Sequence, residues 1–148
     1  MVSHDIPSDI VIFGALGDLS RRKLLPALYQ LDQVGLLNPE SRIVAVARNE
    51  SSLEEFTDFV MENLTNFVKE GLDSDVIERF KSRLVYQQLD FKDTKAYKNL
   101  AATLANGHKT RVYYFSTPPA IYGDISDGLK AAGLITDADR VVMEKPIG

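Results

Sequence analysis

Ile10-Val11-Ile12-Phe13-Gly14-Ala15-Leu16-Gly17-Asp18-Leu19-Ser20 decides the fold. The first four residues, three of them β-branched, read as a strand buried on both faces. Gly14 ends it, and glycine there permits a tight turn and a close backbone approach. Beyond the turn, Leu19, Leu24, Leu25, Leu28 and Leu31 lie on one side of a helix that runs to Gly35, a C-terminal stop. Pro26 should kink it. The unpaired N–H groups and partial positive charge of a helix N-terminus suit a pyrophosphate, so a glycine turn in this setting points to a dinucleotide. The pattern is G-x-x-G followed by small Ser20, not G-x-G-x-x-G, and glycines in turns also serve structure alone. No G-x-x-x-x-G-K occurs, which excludes a Walker loop.

Outward from this segment, strands and helices alternate. Ile43-Val44-Ala45-Val46-Ala47 is a second buried strand. Leu53, Phe56, Phe59, Val60, Leu64 and Phe67 recur at spacings of three and four, which predicts a helix over 51–68, with Ser51 or Ser52 as its cap and Glu54 or Glu55 in its first turn. A short helix follows over 73–80, a third strand over 84–89, and a helix over 93–104 that closes near Asn106-Gly107. The fourth strand is 112–116; Pro118 and Pro119 then open a helix toward Gly133, as proline does in a first turn. Val141-Val142-Met143 is the fifth strand. Continuous apolar strands separated by helices predict an α/β fold: a doubly wound, mostly parallel, Rossmann-like sheet of about five strands with helices on both faces. Residues 1–148 read as one domain, without repeat or linker.

The 148 residues are 45% hydrophobic and 26% charged, enough apolar material for one core. Lys and Arg number 17 against 21 Asp and Glu, a net charge of −4 that offers no basic field to nucleic acid or to an anionic membrane. Phosphate binding must then be local. The absence of cysteine removes disulfides, thiol catalysis and Cys-ligated metal, and two histidines, His4 and His108, are too few for most His-based metal sites. The longest apolar stretch, 10–16, falls far short of a membrane span, and MVSHDIPSD has no signal-peptide core. A cytoplasmic setting is the expectation.

In a parallel sheet the strand ends share one edge, and ligands bind there beside the first strand. The glycine loop, Arg48, Asp90, Thr117-Pro118 and Glu144-Lys145-Pro146 should therefore converge. Arg48, 34 residues beyond Gly14, ends the second strand. An acidic residue there would bind a ribose 2′-OH and repel a 2′-phosphate, whereas arginine pairs with the phosphate and stacks on adenine. The end of this strand thus favours NADP, with Glu50 leaving NAD open. Lys145 places an ammonium at the nicotinamide end, and a cis Pro146 would fix its direction. Lys23, one to two turns into the first helix, faces the substrate side. Tyr122, early in its helix, is placed to lie against the coenzyme. Both histidines read as solvated.

Gly14-Ala15-Leu16-Gly17-Asp18-Leu19-Ser20-Arg21-Arg22-Lys23-Leu24, Val46-Ala47-Arg48, Tyr114-Phe115-Ser116-Thr117-Pro118-Pro119 and Val142-Met143-Glu144-Lys145-Pro146-Ile147-Gly148 together resemble the N-terminal coenzyme-binding domain of bacterial glucose-6-phosphate dehydrogenases. The resemblance runs through the whole chain in order. It implies NADP on Gly14, Ala15, Leu16, Gly17, Asp18, Leu19, Ser20 and Arg21, its 2′-phosphate on Arg48, and coenzyme contacts at Asp90, Phe91 and Tyr122. Lys145 would bridge coenzyme and sugar phosphate, with Lys23 toward the substrate. The implied reaction is hydride transfer from C1 of glucose 6-phosphate to NADP, the first step of the pentose phosphate pathway.

Two departures qualify the match. Leu16 stands where some members carry Ser or Thr, so it offers only its backbone. The family's histidine base, in an H-Y-L-G-K segment, and most of its sugar-phosphate site lie in a further domain that this sequence does not contain. No catalytic residue is therefore expected here: the chain should bind NADP weakly and turn over nothing alone. Self-association would run through the further domain, leaving an apolar face uncovered. Two alternatives remain, a fragment of a glucose–fructose oxidoreductase-type enzyme and a free-standing NADP-binding sensor. Short-chain dehydrogenases are disfavoured because no Y-x-x-x-K occurs.

Overall fold

The computed structural model of the chain describes residues 6–135 and 140–143. Five strands, β1 (Asp9–Phe13), β2 (Arg42–Ala47), β3 (Leu84–Gln88), β4 (Arg111–Phe115) and β5 (Arg140–Met143), form one sheet in the order β3-β2-β1-β4-β5. All four pairings are parallel, with Ile12 opposite Ala45 on one side and Tyr114 on the other. Five α-helices, α1 (Leu25–Gln33), α2 (Leu53–Phe67), α3 (Ser74–Ser82), α4 (Tyr97–Ala105) and α5 (Tyr122–Ala131), connect them.

The two-residue period of β1 explains why every one of its residues is buried. Ile10 and Ile12 face a core shared with Leu25, Leu28 and Tyr29 of α1, Phe56, Val60 and Leu64 of α2, and Phe80 of α3. Val11 and Phe13 face the opposite core, with Tyr97, Leu100 and Leu104 of α4 and Ile125 and Leu129 of α5. Chain reversal after β3 sends the second set of helices to the other face. Each fully buried side chain such as Phe56 contributes about 2–3 kcal/mol relative to exposure.

The helix expected over 19–35 is wound in two ways. Ser20–Leu24 is a π-helical turn, and α1 begins at Leu25 with Pro26 in its first turn. The predicted kink thus takes the form of a change in winding: Pro26 has no N–H to give, and the wider turn precedes it. Gly35 does stop α1. At φ +77° its N–H bonds the Asp32 carbonyl while the Leu36 N–H reaches Leu31, a Schellman closure repeated at Gly133 on α5. Ser52 and Glu55 form the capping box of α2, and Asp73 caps α3 with bonds from Asp75 and Val76 N–H.

Two ion-pair clusters, centred on Asp32 and on Asp9, hold the sheet's amino edge and the outer helices. Arg83, only 2% exposed, makes a bidentate contact to Asp32 at 3.0 and 2.8 Å and donates to the carbonyls of Leu37, Asn38 and Ser41. Arg79 completes the cluster at 2.7 Å from Asp32. At the start of β1, Asp9 receives two bonds from Arg42 and one from the His108 N–H. A Cβ on Gly107 would overlap the paired ends of Arg42 and Asp9, so a larger residue there would push this ion pair aside.

Candidate functional site: a cleft at the carboxyl edge of the sheet

The order β3-β2-β1-β4-β5 reverses direction beside β1, and the turn that leaves β1 sits where neighbouring connections diverge. Three bonds knit it in place: Gly14 N–H and Ala15 N–H donate to the Val46 carbonyl at 2.9 and 3.3 Å, and Ser116 N–H to the Phe13 carbonyl at 2.9 Å. Gly14 has φ +84°, and a Cβ there would overlap the Ser116 carbonyl and lie 2.9 Å from Thr117 Cγ2. No other residue type fits both demands.

Gly17 has no such constraint. A Cβ on it would meet the Gly14 carbonyl at 3.2 Å and Ser116 O at 3.8 Å, tight but not forbidden. Its bareness keeps the turn low beside the cleft. Arg21 N–H donates to Gly17 O at 3.1 Å, so the amides of Asp18, Leu19 and Ser20 precede the first bond of the helix. Such groups are donors for an anion.

Around this turn lies a cleft of about 370 Å³. Gly14, Leu16 and Gly17 form its floor, Ala47, Arg48 and Asn49 the β2 side, Phe91 a further wall, and Ser116, Thr117, Pro118 and Ile121 the β4 side. The backbone of Arg48 is anchored by Gln88 Nε2, which donates to its carbonyl at 3.1 Å, and the Tyr86 hydroxyl donates to Asn49 O. The exposed Arg48 guanidinium makes no ion pair among the described residues. Phe91 meets Phe13 edge-on at 5.8 Å, and the Tyr97 hydroxyl donates to the Phe91 carbonyl at 2.8 Å. Burial raises the Tyr97 phenol above its usual range, which keeps that donor proton in place.

Other expected residues lie differently. Ala15 is buried in the core beneath the turn. Asp18 is committed to Arg21 and Arg22, at 2.6 and 2.7 Å, and Arg22 followed by Arg21 holds its carboxyl below the ordinary value. Ser20 is buried, its hydroxyl without a partner. The Asp90 carboxylate accepts from the Lys92 N–H in a local turn, 3.0 Å. Tyr122 packs its ring against Phe115 at 5.7 Å and does not line the cleft. Leu19 and Lys23 line a second, smaller cleft of about 260 Å³ with Leu24, Ala27 and Tyr114. Lys145, with Glu144, Pro146 and His4, lies outside the described residues. His108 sits beside Asp9, where β1 begins, far along the strand from the glycine turn, its Nε2 2.7 Å from Glu40 O. Among the described residues no group of three or more His, Asp and Glu could hold a metal, and no helix is long and apolar enough to cross a membrane.

Asn49, Ser116 and Ile121 belong to the cleft although the sequence does not single them out as site residues. The signal for Ser116 was available: two hydroxyl residues, Ser116-Thr117, stand between an apolar strand and a Pro-Pro pair.

A parallel sheet with a positive-φ glycine turn at its switch point, first-turn amides beside a cleft and an uncommitted arginine across it defines a dinucleotide-binding α/β domain of the Rossmann type. The chain belongs to the family described as "Glucose-6-phosphate dehydrogenase, NAD binding domain", which it matches over residues 11–148. It is 46% identical over 140 residues to a glucose-6-phosphate 1-dehydrogenase of Dickeya dadantii, covering 95% of this chain and 28% of that protein. The corresponding enzyme of Mycolicibacterium smegmatis is 42% identical over 148 residues, with coverages of 96% and 30%. The crystal structure of glucose-6-phosphate 1-dehydrogenase from Mycobacterium avium matches with a TM-score of 0.85 at 32% identity, over 96% of this chain and 30% of that one. A glucose-6-phosphate dehydrogenase in complex with glucose 6-phosphate matches with a TM-score of 0.84, also at 32% identity, over 100% of this chain and 32% of that one. The chain thus spans less than a third of the length of these relatives.

Proposed function

We propose that this chain holds NADP for a glucose-6-phosphate dehydrogenase. The observation that carries the choice of NADP is Arg48, exposed at the end of β2, backbone-anchored, and without an acidic partner among the described residues. The groups present fit such a ligand: a bare turn at Gly17, amides of Asp18, Leu19 and Ser20, and hydroxyls of Ser116 and Thr117 that lack partners.

In this reading the backbone at Gly14, Leu16 and Gly17 and the following amides receive the pyrophosphate, with Arg21 near the same helix end. Arg48 pairs with the 2′-phosphate and lies over adenine. Phe91 supplies an apolar wall on the β2 side, while Asp90 fixes the loop that carries it. Lys23 is assigned to the sugar phosphate, a role that this reading extends to Lys145. The coenzyme, when bound, supplies the acceptor for a hydride from C1 of glucose 6-phosphate. The chain's own contribution is orientation and phosphate electrostatics.

Removal of the sugar hydroxyl proton needs a base, and the placement of His108 near the amino end of β1 does not suit it. In this reading the base and the self-association surface are supplied by a part of the enzyme other than this domain. The same reading places the protein in the cytoplasm. NADP titrated calorimetrically into the chain should bind, and adding glucose 6-phosphate should give no absorbance of NADPH. Absence of binding, or turnover by the chain alone, would overturn this assignment.

A further inference from the structure

Among the described residues, four side-chain hydroxyls are buried without a hydrogen-bond partner: those of Ser8, Ser20, Ser116 and Thr117. Such a group ordinarily destabilises a fold, so each calls for an explanation. Only Ser116 and Thr117 line the cleft, they are consecutive, and they follow the last residue of β4. Their positions are rigid. Ser116 N–H is tied to the Phe13 carbonyl, and the Ser116 carbonyl and Thr117 Cγ2 press on Gly14 so closely that no Cβ fits between.

We propose that the Ser116 and Thr117 hydroxyls are binding groups for the nicotinamide nucleotide half of the dinucleotide. This inference rests on the coenzyme reading above and adds two side chains to it. The argument is one of position and chemistry. A dinucleotide spans the crevice at the switch point with one mononucleotide on each side. Arg48, at the end of β2, takes the 2′-phosphate side, so the end of β4, across β1, takes the other half. Oxygen acceptors and hydroxyls of that half, on its phosphate and ribose, are partners that a serine or threonine hydroxyl satisfies as donor or acceptor. Rotation about χ1 moves the Ser116 hydroxyl among three staggered positions, so a ligand in the cleft can draw it outward, whereas at Thr117, whose Cγ2 stays beside Gly14, only the O–H proton turns. The apolar neighbours Pro118 and Ile121 offer no competing acceptor side chain.

The test is a crossed binding experiment on the chain with Ser116→Ala, Thr117→Val and the double variant. Thr117→Val keeps the methyl group against Gly14 and replaces the hydroxyl with a methyl group of similar size. The probes are NADP and adenosine 2′,5′-bisphosphate, which shares the 2′-phosphate but lacks the nicotinamide half. The double variant should bind NADP about 10-fold or more weaker, as expected for lost bonds to a charged or strongly polar ligand, with unchanged affinity for the bisphosphate. Arg48→Ala should weaken both. Thermal unfolding without ligand separates binding from structure: removing unpartnered hydroxyls should leave the midpoint unchanged or raised. Unchanged NADP affinity in the double variant, or equal loss for both probes, would overturn the proposal while leaving the coenzyme reading intact. Failure of the unaltered chain to bind either probe would instead defeat the coenzyme reading, and this inference with it.

Discussion

A Cβ placed on Gly14 would overlap the carbonyl oxygen of Ser116, so the end of β1 and the end of β4 meet at a point that only glycine accommodates. That contact sets the depth of the cleft and the direction in which the chain enters its first helix. Gly14→Ala adds both the overlap and an L-residue at φ +84°. It should cost about 2–4 kcal/mol, a range that separates steric defects from ordinary surface changes. Urea unfolding measures this, and a loss under 1 kcal/mol would show that β4 yields easily.

Gly17→Ala separates folding from binding at the same turn. The nearest atom to its Cβ would be Gly14 O at 3.2 Å, so the folded chain should lose only about 1 kcal/mol or less. NADP affinity should fall by a larger factor, because the methyl group stands beside the donors of Asp18 and Leu19. Equal losses in both measurements would assign Gly17 to the fold alone.

Much of this was legible in the sequence, and the reasons differ from residue to residue. Strand β1 was readable because four apolar residues ahead of Gly14 leave no polar face, and Gly35 and Gly133 because each stands just past an amphipathic helix. Arg48 and Phe91, both named from the sequence, line the cleft. The π-helical winding of Ser20–Leu24 was not readable, since its spacing of leucines suits an α-helix equally well. Tyr122, expected to lie against the coenzyme, has its half-buried ring packed on Phe115, a contact that belongs to the packing between β4 and α5 and has no signal in the sequence. Ser116 falls within a quoted motif, but no periodicity marks it as a cleft residue, and only the Ser116-Thr117 pair ahead of Pro118-Pro119 points to it.

The Asp32–Arg83 pair, each partner at most 2% exposed, predicts a large response to truncation. Asp32→Ala leaves the Arg83 guanidinium buried without its counter-charge and should cost about 3–5 kcal/mol. Chemical denaturation reports it; a change below 1 kcal/mol would mean that the Leu37, Asn38 and Ser41 carbonyls suffice to hold Arg83.

Acid stability should carry the mark of the α2 cap. The Ser52 N–H and the Ser52 hydroxyl lower the Glu55 carboxyl from its ordinary value, the backbone bond first. The folded value therefore lies below the unfolded one, so the unfolded chain binds more protons as the pH falls through that window. Stability is fully present above the unfolded value and is lost below about pH 4. Glu55→Gln should flatten that decline, and Ser52→Ala should cost about 1 kcal/mol at neutral pH. Parallel acid-unfolding curves for Glu55→Gln and the unaltered chain would contradict the assignment.

The central claim is that Arg48 makes this an NADP site, and the most direct test is the ratio of NADP to NAD affinity measured by calorimetry on the unaltered chain and on Arg48→Ala. The account predicts tighter binding of NADP, by about tenfold or more for a charge-assisted phosphate contact, and near-equal affinities in the variant because only the NADP value falls. Equal affinities in the unaltered chain, or a preference that survives Arg48→Ala, would contradict it.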